Sequence, residues 1–262
     1  MKRSSGVRLC ATAAVSALSF ALVTGCSSDG GSKDSDGGRG TDGKPAAKAL
    51  GTAELKRLII AKGDVPGFDV GPVPAARAEP FTTDSAECRP LTRVLSGLPP
   101  VDAAAQTDRT ATEKRPKAPK DKATSPQDMA DGDVEKAMNK SLDADVTTVN
   151  LSSYDGDGAA KALAAVGAAV KACAGGFTGK QAGATAKVAR VTEAKSTAVG
   201  DESVAFGLVI DDDGEKGTVY GEVVRQGNTV ASYYTINLGA MMAKKEYAVS
   251  AAVLKAQAAK LK

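Results

Sequence analysis

The sequence predicts an α+β domain: a mostly antiparallel sheet of about five strands with helices packed on it, closed by one disulfide. Three observations carry this. Apolar stripes of helical period occur early, in the middle and at the end of the chain. Five stretches of β-formers lie between them, four of them in the last third. Two cysteines each finish an apolar helical stripe.

Taken in order, the folded domain spans 50–262. "GTAELKRLIIAKGDVPGF" reads as a helix with Leu55, Leu58 and Ile59 on one face, stopping at Gly63 before a Val65-Pro66-Gly67 turn. "CRPLTRVLSGL" is a short helix with Cys88, Leu91, Leu95 and Leu98 in 3-4-3 spacing, ending at Pro99-Pro100. Residues of about 100–140 have no apolar periodicity and read as a long exposed loop. "ADVTTVNLSSY" is a strand containing Val146 and Val149. A helix follows from about Gly158 to Cys173, capped by Asp155 or Asp157, with Leu163, Val166, Val170 and Cys173 on its stripe.

The strands "TAKVARVTEA", "ESVAFGLVID", "KGTVYGEVVRQ" and "NTVASYYTINL" then form a meander. Val188, Arg190 and Thr192 alternate with Lys187, Ala189 and Val191, and "DDDGEKG" and "RQGN" supply hairpin turns. The last helix, "KEYAVSAAVLKAQAAKLK", has the stripe Tyr247, Ala251, Leu254, Ala258 and Leu261.

The N-terminus predicts location. Lys2, Arg3 and Arg8 precede the apolar run Leu9 to Val23, which is shorter than the roughly 20 residues needed to cross a bilayer. It ends in Val23-Thr24-Gly25-Cys26, which resembles the bacterial lipobox. Residues 1–25 are then a removable signal peptide, and Cys26 becomes the lipidated first residue. The alternative is an ordinary signal peptide or anchor with an incidental Cys26. Acyl chains contribute about 0.8 kcal/mol per buried methylene, so two or three hold a domain at the membrane. Residues 26–49, rich in Gly, Ser and Asp, read as a flexible tether with an r.m.s. reach of roughly 25–30 Å. The expected site is the outer face of the plasma membrane.

Composition excludes several function classes. The chain has 34 Lys+Arg and 31 Asp+Glu, but the signal peptide takes three basic residues and no acidic one, so the mature chain is near neutral and nucleic acid is not an expected partner. With no His, histidine triads and His-containing zinc sites are impossible. No Trp and 4% aromatics argue against a sugar-stacking platform.

Three motifs are better explained by structure than by chemistry. "GRGTDG" at Gly38–Gly43 lies in the tether, outside the strand–helix context that phosphate binding needs. "DDDGE" and "DGDG" fit a hairpin turn and a helix start rather than an EF-hand. The basic run 113–122 reads as a solvated loop, with contact to anionic lipid or wall polymer as the alternative. No cofactor or metal is expected.

Cys10 leaves with the signal peptide and Cys26 is lipidated, leaving Cys88 and Cys173. Two cysteines in an exported protein usually pair, and a bridge closing so long a loop stabilises by roughly 4–5 kcal/mol. The alternative is two buried free thiols.

In order, the lipobox, the tether, "DVPGF", "ECRPL", "LSSYDGDGAAKALAAVGAAVKACAGGF", "GDESVAF" and "VVRQGNTV" resemble actinobacterial sensor-domain lipoproteins, similar in turn to the extracellular domain of PknH-type kinases. The resemblance implies an α+β fold with a central antiparallel sheet and a ligand-binding or sensing role. That sensor domain has two disulfides where this chain can form one, and no catalytic residues carry over. The function expected is a lipid-anchored binding or sensor protein for a small or lipid-like envelope ligand, without catalysis. The alternative is a module docking another envelope protein, with an unrecognised hydrolase third.

Overall fold

The computed structural model describes residues 47–75, 79–115, 142–212 and 214–262. The helices are α1 (Thr52–Leu58), α2 (Arg89–Leu95), α3 (Gly158–Ala172), α4 (Leu238–Met242) and α5 (Ala251–Lys260), with a 3-10 turn at Ala86–Cys88 leading into α2. The strands are β1 (Phe68–Gly71), β2 (Ala105–Glu113), β3 (Val146–Ser153), β4 (Phe177–Gln181), β5 (Ala184–Ala194), β6 (Glu202–Asp212), β7 (Glu215–Gln226) and β8 (Thr229–Ile236).

All eight strands form one antiparallel sheet in the order β1-β2-β3-β8-β7-β6-β5-β4. The five expected strands are present as β3, β5, β6, β7 and β8. The expectation of about five is corrected to eight by three strands whose sequences do not look like strands. β1 is four residues with a proline on each side of its neighbourhood, and β4 carries a central glycine at the sheet edge. β2 reads AQTDRTATE, with Thr107, Thr110 and Ala111 at its buried positions instead of valines. It also shortens the expected 100–140 loop, since 105–113 pair with β1 and β3; residues 116–141 lie outside the described residues.

The sheet is covered on both faces. Adjacent residues of a strand point to opposite sides, so the run Val223-Val224 puts one valine into each core, and Val230-Ala231 does the same. One core contains Leu91 and Val94 of α2, Ala162, Val166 and Val170 of α3, and Phe206, Leu208 and Val223 of the sheet. The other contains Leu55 of α1, Val253 and Leu254 of α5, and Val149, Leu151, Val224 and Tyr233. A domain of three layers results.

Three further expectations change. Strict alternation along β5 fails because the register shifts between Val188 and Arg190, a bulge that lets Val188 and Val191 enter the same core. Neither Asp155 nor Asp157 caps α3 through its side chain; Asp157 instead pairs with Lys161 at 2.9 Å, and Asp155 Oδ1 accepts the Ala49 amide. The last helix begins at Ala251 and buries Val253, Leu254 and Gln257, leaving Ala251 exposed and Tyr247 outside it.

Candidate functional site

The cysteine pairing is present. Cys88 at the start of α2 and Cys173 at the end of α3 form a disulfide with Cα atoms 5.9 Å apart. It ties together two helices that share one core and touches no cleft described below. The lipobox residues Val23, Thr24 and Gly25 and the lipidation position Cys26 lie outside the described residues. Of the basic run, Lys114 pairs with Asp69 at 3.2 Å, and 116–122 also lie outside.

"GDES" and "VVRQGN" meet as a clamp. Asp201 accepts from the Arg225 guanidinium at 3.2 Å and from the Gly227 amide at 2.8 Å, while Glu202 accepts from Arg225 Nε at 3.0 Å. The next residue of the hairpin, Asn228, donates its side-chain amide to the Lys48 carbonyl and accepts the Tyr154 amide on its own carbonyl. These motifs therefore hold the place where the tether joins the domain.

A second polar feature is internal. Thr110, Thr148, Asn150 and Ser232 are buried on the sheet face that α2 covers, and Thr110 pairs in register with Thr148, as Asn150 does with Ser232. Asn150 Nδ2 donates to the Gly97 carbonyl and to Gln106 Oε1, both at 3.0 Å. Two acceptors set the amide orientation and leave Asn150 Oδ1 without a donor. The hydroxyls of Thr110, Thr148 and Ser232 also lack partners. Glu222, buried on the opposite face, is engaged through one oxygen: its Oε1 accepts from Ser196 Oγ, Thr197 N and Thr197 Oγ1 at 2.8–3.0 Å, pinning the β5–β6 connection.

The arrangement best suited to binding lies at the opposite end of β8 from Asn228. A cleft of about 270 Å³ opens between β7 and the chain that follows α4, lined by Lys216, Gly217, Tyr220, Lys244, Lys245 and Tyr247, with Glu246 beside them. Asn237 builds it. Its Oδ1 caps α4 by accepting the Ala240 amide at 2.8 Å, and its Nδ2 donates to Asp143 and Asp145 at 3.1 and 3.0 Å. Gly217 lets α4 approach, since a Cβ there would lie 2.2 Å from Met241 Cε.

Helix α4 ends with the Lys245 amide donating to the Ala240 carbonyl and the Lys244 amide to the Met241 carbonyl. This pattern puts Lys244 in the left-handed region, at φ 53°, where glycine is the usual residue. Tyr247 then pins the segment: its hydroxyl donates to the Thr218 carbonyl, and its ring meets Tyr220 edge-on at 5.0 Å. Burial pushes the Tyr247 hydroxyl well above its ordinary pKa, so it stays neutral. Among the described residues, Lys216, Lys244 and Lys245 form no ion pair. Three lysines and one carboxylate, Glu246, thus line the cleft and give it a net positive charge.

Sequence reading missed this cleft because "KEY", from Lys245, looks like the opening turn of the final helix. The available signal was a lysine, in place of glycine, directly after a helix.

No family model matches the chain, and no curated protein matches it. Among solved structures the chain is similar to the extracellular domain of PknH from Mycobacterium tuberculosis. The TM-score is 0.44 at 10% identity, over 82% of this chain and 97% of that one. Among the described residues, no helix is long and apolar enough to cross a membrane, and no group of three His, Cys, Asp or Glu is placed to hold a metal ion.

Proposed function

We propose that this chain is a lipid-anchored, non-enzymatic binding protein on the outer face of the plasma membrane, and that its ligand is a small anionic envelope molecule taken at the lysine cleft. The signal peptide and lipobox motivate the location. The observation that carries the binding role is the convergence of Lys216, Lys244 and Lys245 on one cleft without carboxylate partners among the described residues. Holding Lys244 in a backbone conformation suited to glycine stores strain of about 1–2 kcal/mol, a pattern common at ligand sites.

Native mass spectrometry of the protein purified from its own host tests this. A co-purifying anionic small molecule, lost when Lys244 and Lys245 are both changed to Glu, supports it; an empty monomer across a range of extracts sinks it. Docking of another envelope protein is a second reading, favoured by the exposure of Leu238 and Met242 beside the cleft. Crosslinking in intact cells distinguishes it by trapping a protein at α4.

A further inference from the structure

Two large hydrophobic side chains are exposed among the described residues, Leu238 at 51% and Met242 at 52%. They stand four residues apart on α4 and so share one helix face. Met241, between them, faces inward onto Gly217, so the helix is held to β7 by one methionine and offers the other outward. Lys244 and Lys245 follow immediately, and Lys216 lines the same cleft. Apolar tips next to lysines that form no ion pair among the described residues match the chemistry of a bilayer surface, where acyl chains lie just beneath anionic phosphates.

We propose that α4 docks the domain onto the anionic lipid of the membrane that anchors it. Lys216, Lys244 and Lys245 take the lipid phosphate, and Leu238 and Met242 enter the acyl boundary. This rests on reading the cleft as the binding site and names its ligand as a lipid headgroup in place. Each lysine near an anionic surface strengthens binding about fivefold, so three together give roughly a hundredfold. Glu246 in the cleft, and Asp143 and Asp145 at the far end of α4, offset part of this.

The tether leaves the domain beside Asn228, one β8 length from α4, a distance of roughly 25 Å for eight residues. That equals the r.m.s. reach expected of a tether this long, so attachment at one end leaves the other free to reach the bilayer. A tethered domain also sees the surface at an effective concentration on the order of millimolar, so a weak patch is enough.

The test uses the lipidated protein reconstituted in vesicles and follows Met242 by its rate of peroxide oxidation, read by mass spectrometry. In vesicles containing phosphatidylglycerol, Met242 is oxidised at least about fivefold more slowly than in phosphatidylcholine vesicles. Protection falls in high salt and in the Lys244→Glu, Lys245→Glu double variant. Lys244→Gly keeps the left-handed turn, so it retains or raises the melting temperature while weakening protection. Equal oxidation rates in the two vesicles overturn the proposal. So does protection that ignores lipid charge, or that appears only when envelope proteins are added.

Glycerol phosphate added to phosphatidylcholine vesicles separates the two readings. If it binds the cleft, seen as a melting shift abolished by the double glutamate variant, while anionic vesicles give no protection, the cleft is a site for free anions and only the lipid proposal falls. If neither anion nor vesicle has an effect, both fall.

Discussion

Gln257 of α5 clasps the end of α1 at Ile60. The Gln257 side chain is completely buried; its Oε1 accepts the Ile60 amide at 2.9 Å, and its Nε2 donates to the Leu58 carbonyl at 2.9 Å. The Leu58 carbonyl is one that the helix end leaves without an intrahelical partner, and the Ile60 amide lies just past that end. A polar residue in the buried stripe of α5 thus adds to the cap at Ile59, whose own amide donates to the Leu55 carbonyl. Gln257→Leu keeps the volume and removes both bonds. It should destabilise by about 2–4 kcal/mol, read as a lower urea midpoint with an unchanged m-value. A change under about 0.5 kcal/mol would show that the clasp contributes nothing net.

The disulfide spans 85 residues. Cys88→Ser, measured without reductant, should lower the melting temperature by roughly 8–20 °C, from a chain-entropy contribution of about 4–5 kcal/mol in a domain of this size. The other buried parts of α2 and α3 stay packed, so the circular dichroism spectrum is unchanged before melting. An unaltered melting temperature contradicts the pairing.

Gly200 sits at φ 74°, and a Cβ there would lie 2.4 Å from Val224 Cγ1 and 2.7 Å from the Arg225 carbonyl. Gly200→Ala therefore strains the backbone and pushes the "GDES" turn off the hairpin. The expected loss is about 2–4 kcal/mol. Hydrogen exchange should rise at the amides of Asp201 and Gly227, which the clamp protects.

The unpartnered hydroxyl of Thr148 is testable by a near-isosteric change. Thr148→Val removes a buried polar atom that has no hydrogen bond, so it should stabilise by about 1 kcal/mol. Destabilisation would mean that the hydroxyl is satisfied in solution, and would make the Thr110, Thr148, Asn150 and Ser232 face a hydrated or ligand-bound surface.

Two aspartates give opposite pH dependence. Burial pushes the Asp145 carboxyl above its ordinary 3.8, partly opposed by the Asn237 amide and reinforced by Glu113 and Asp143. The folded state then binds the proton more tightly than the unfolded one. Its contribution to stability is complete below the unfolded pKa and is lost as pH rises through the folded value. Asp145→Asn should accordingly stabilise at pH 7, with the gain shrinking as the pH is lowered toward 4. Asp64 is lowered, first by the hydrogen bond from Lys260 and then by the Ala61 amide. Its contribution is present above the unfolded pKa and is lost as pH falls through the folded one, so Asp64→Asn should weaken the domain at pH 7 and less in acid. Urea midpoints at several pH values check both signs.

By itself the sequence determined the class of fold, five strands in their order, the central helix and the cysteine pair, because each rests on local periodicity or on elimination among four cysteines. Val188 and Val191 show the limit, since a bulge moves a side chain across a strand without any change in composition. Only the tertiary structure decided that β2 is a strand. Thr107 is buried on the face that α1 covers and Thr110 on the face that α2 covers, with β1 and β3 paired alongside, and no property of AQTDRTATE alone supplies those partners. It also decided the lysine cleft. Lys216 lies nearly thirty residues before Lys244 and Lys245, and only the β7–β8 hairpin and the turn after α4 bring the three charges together. Periodicity reports which face of an element is apolar; it carries no information about which distant charges the fold will set side by side.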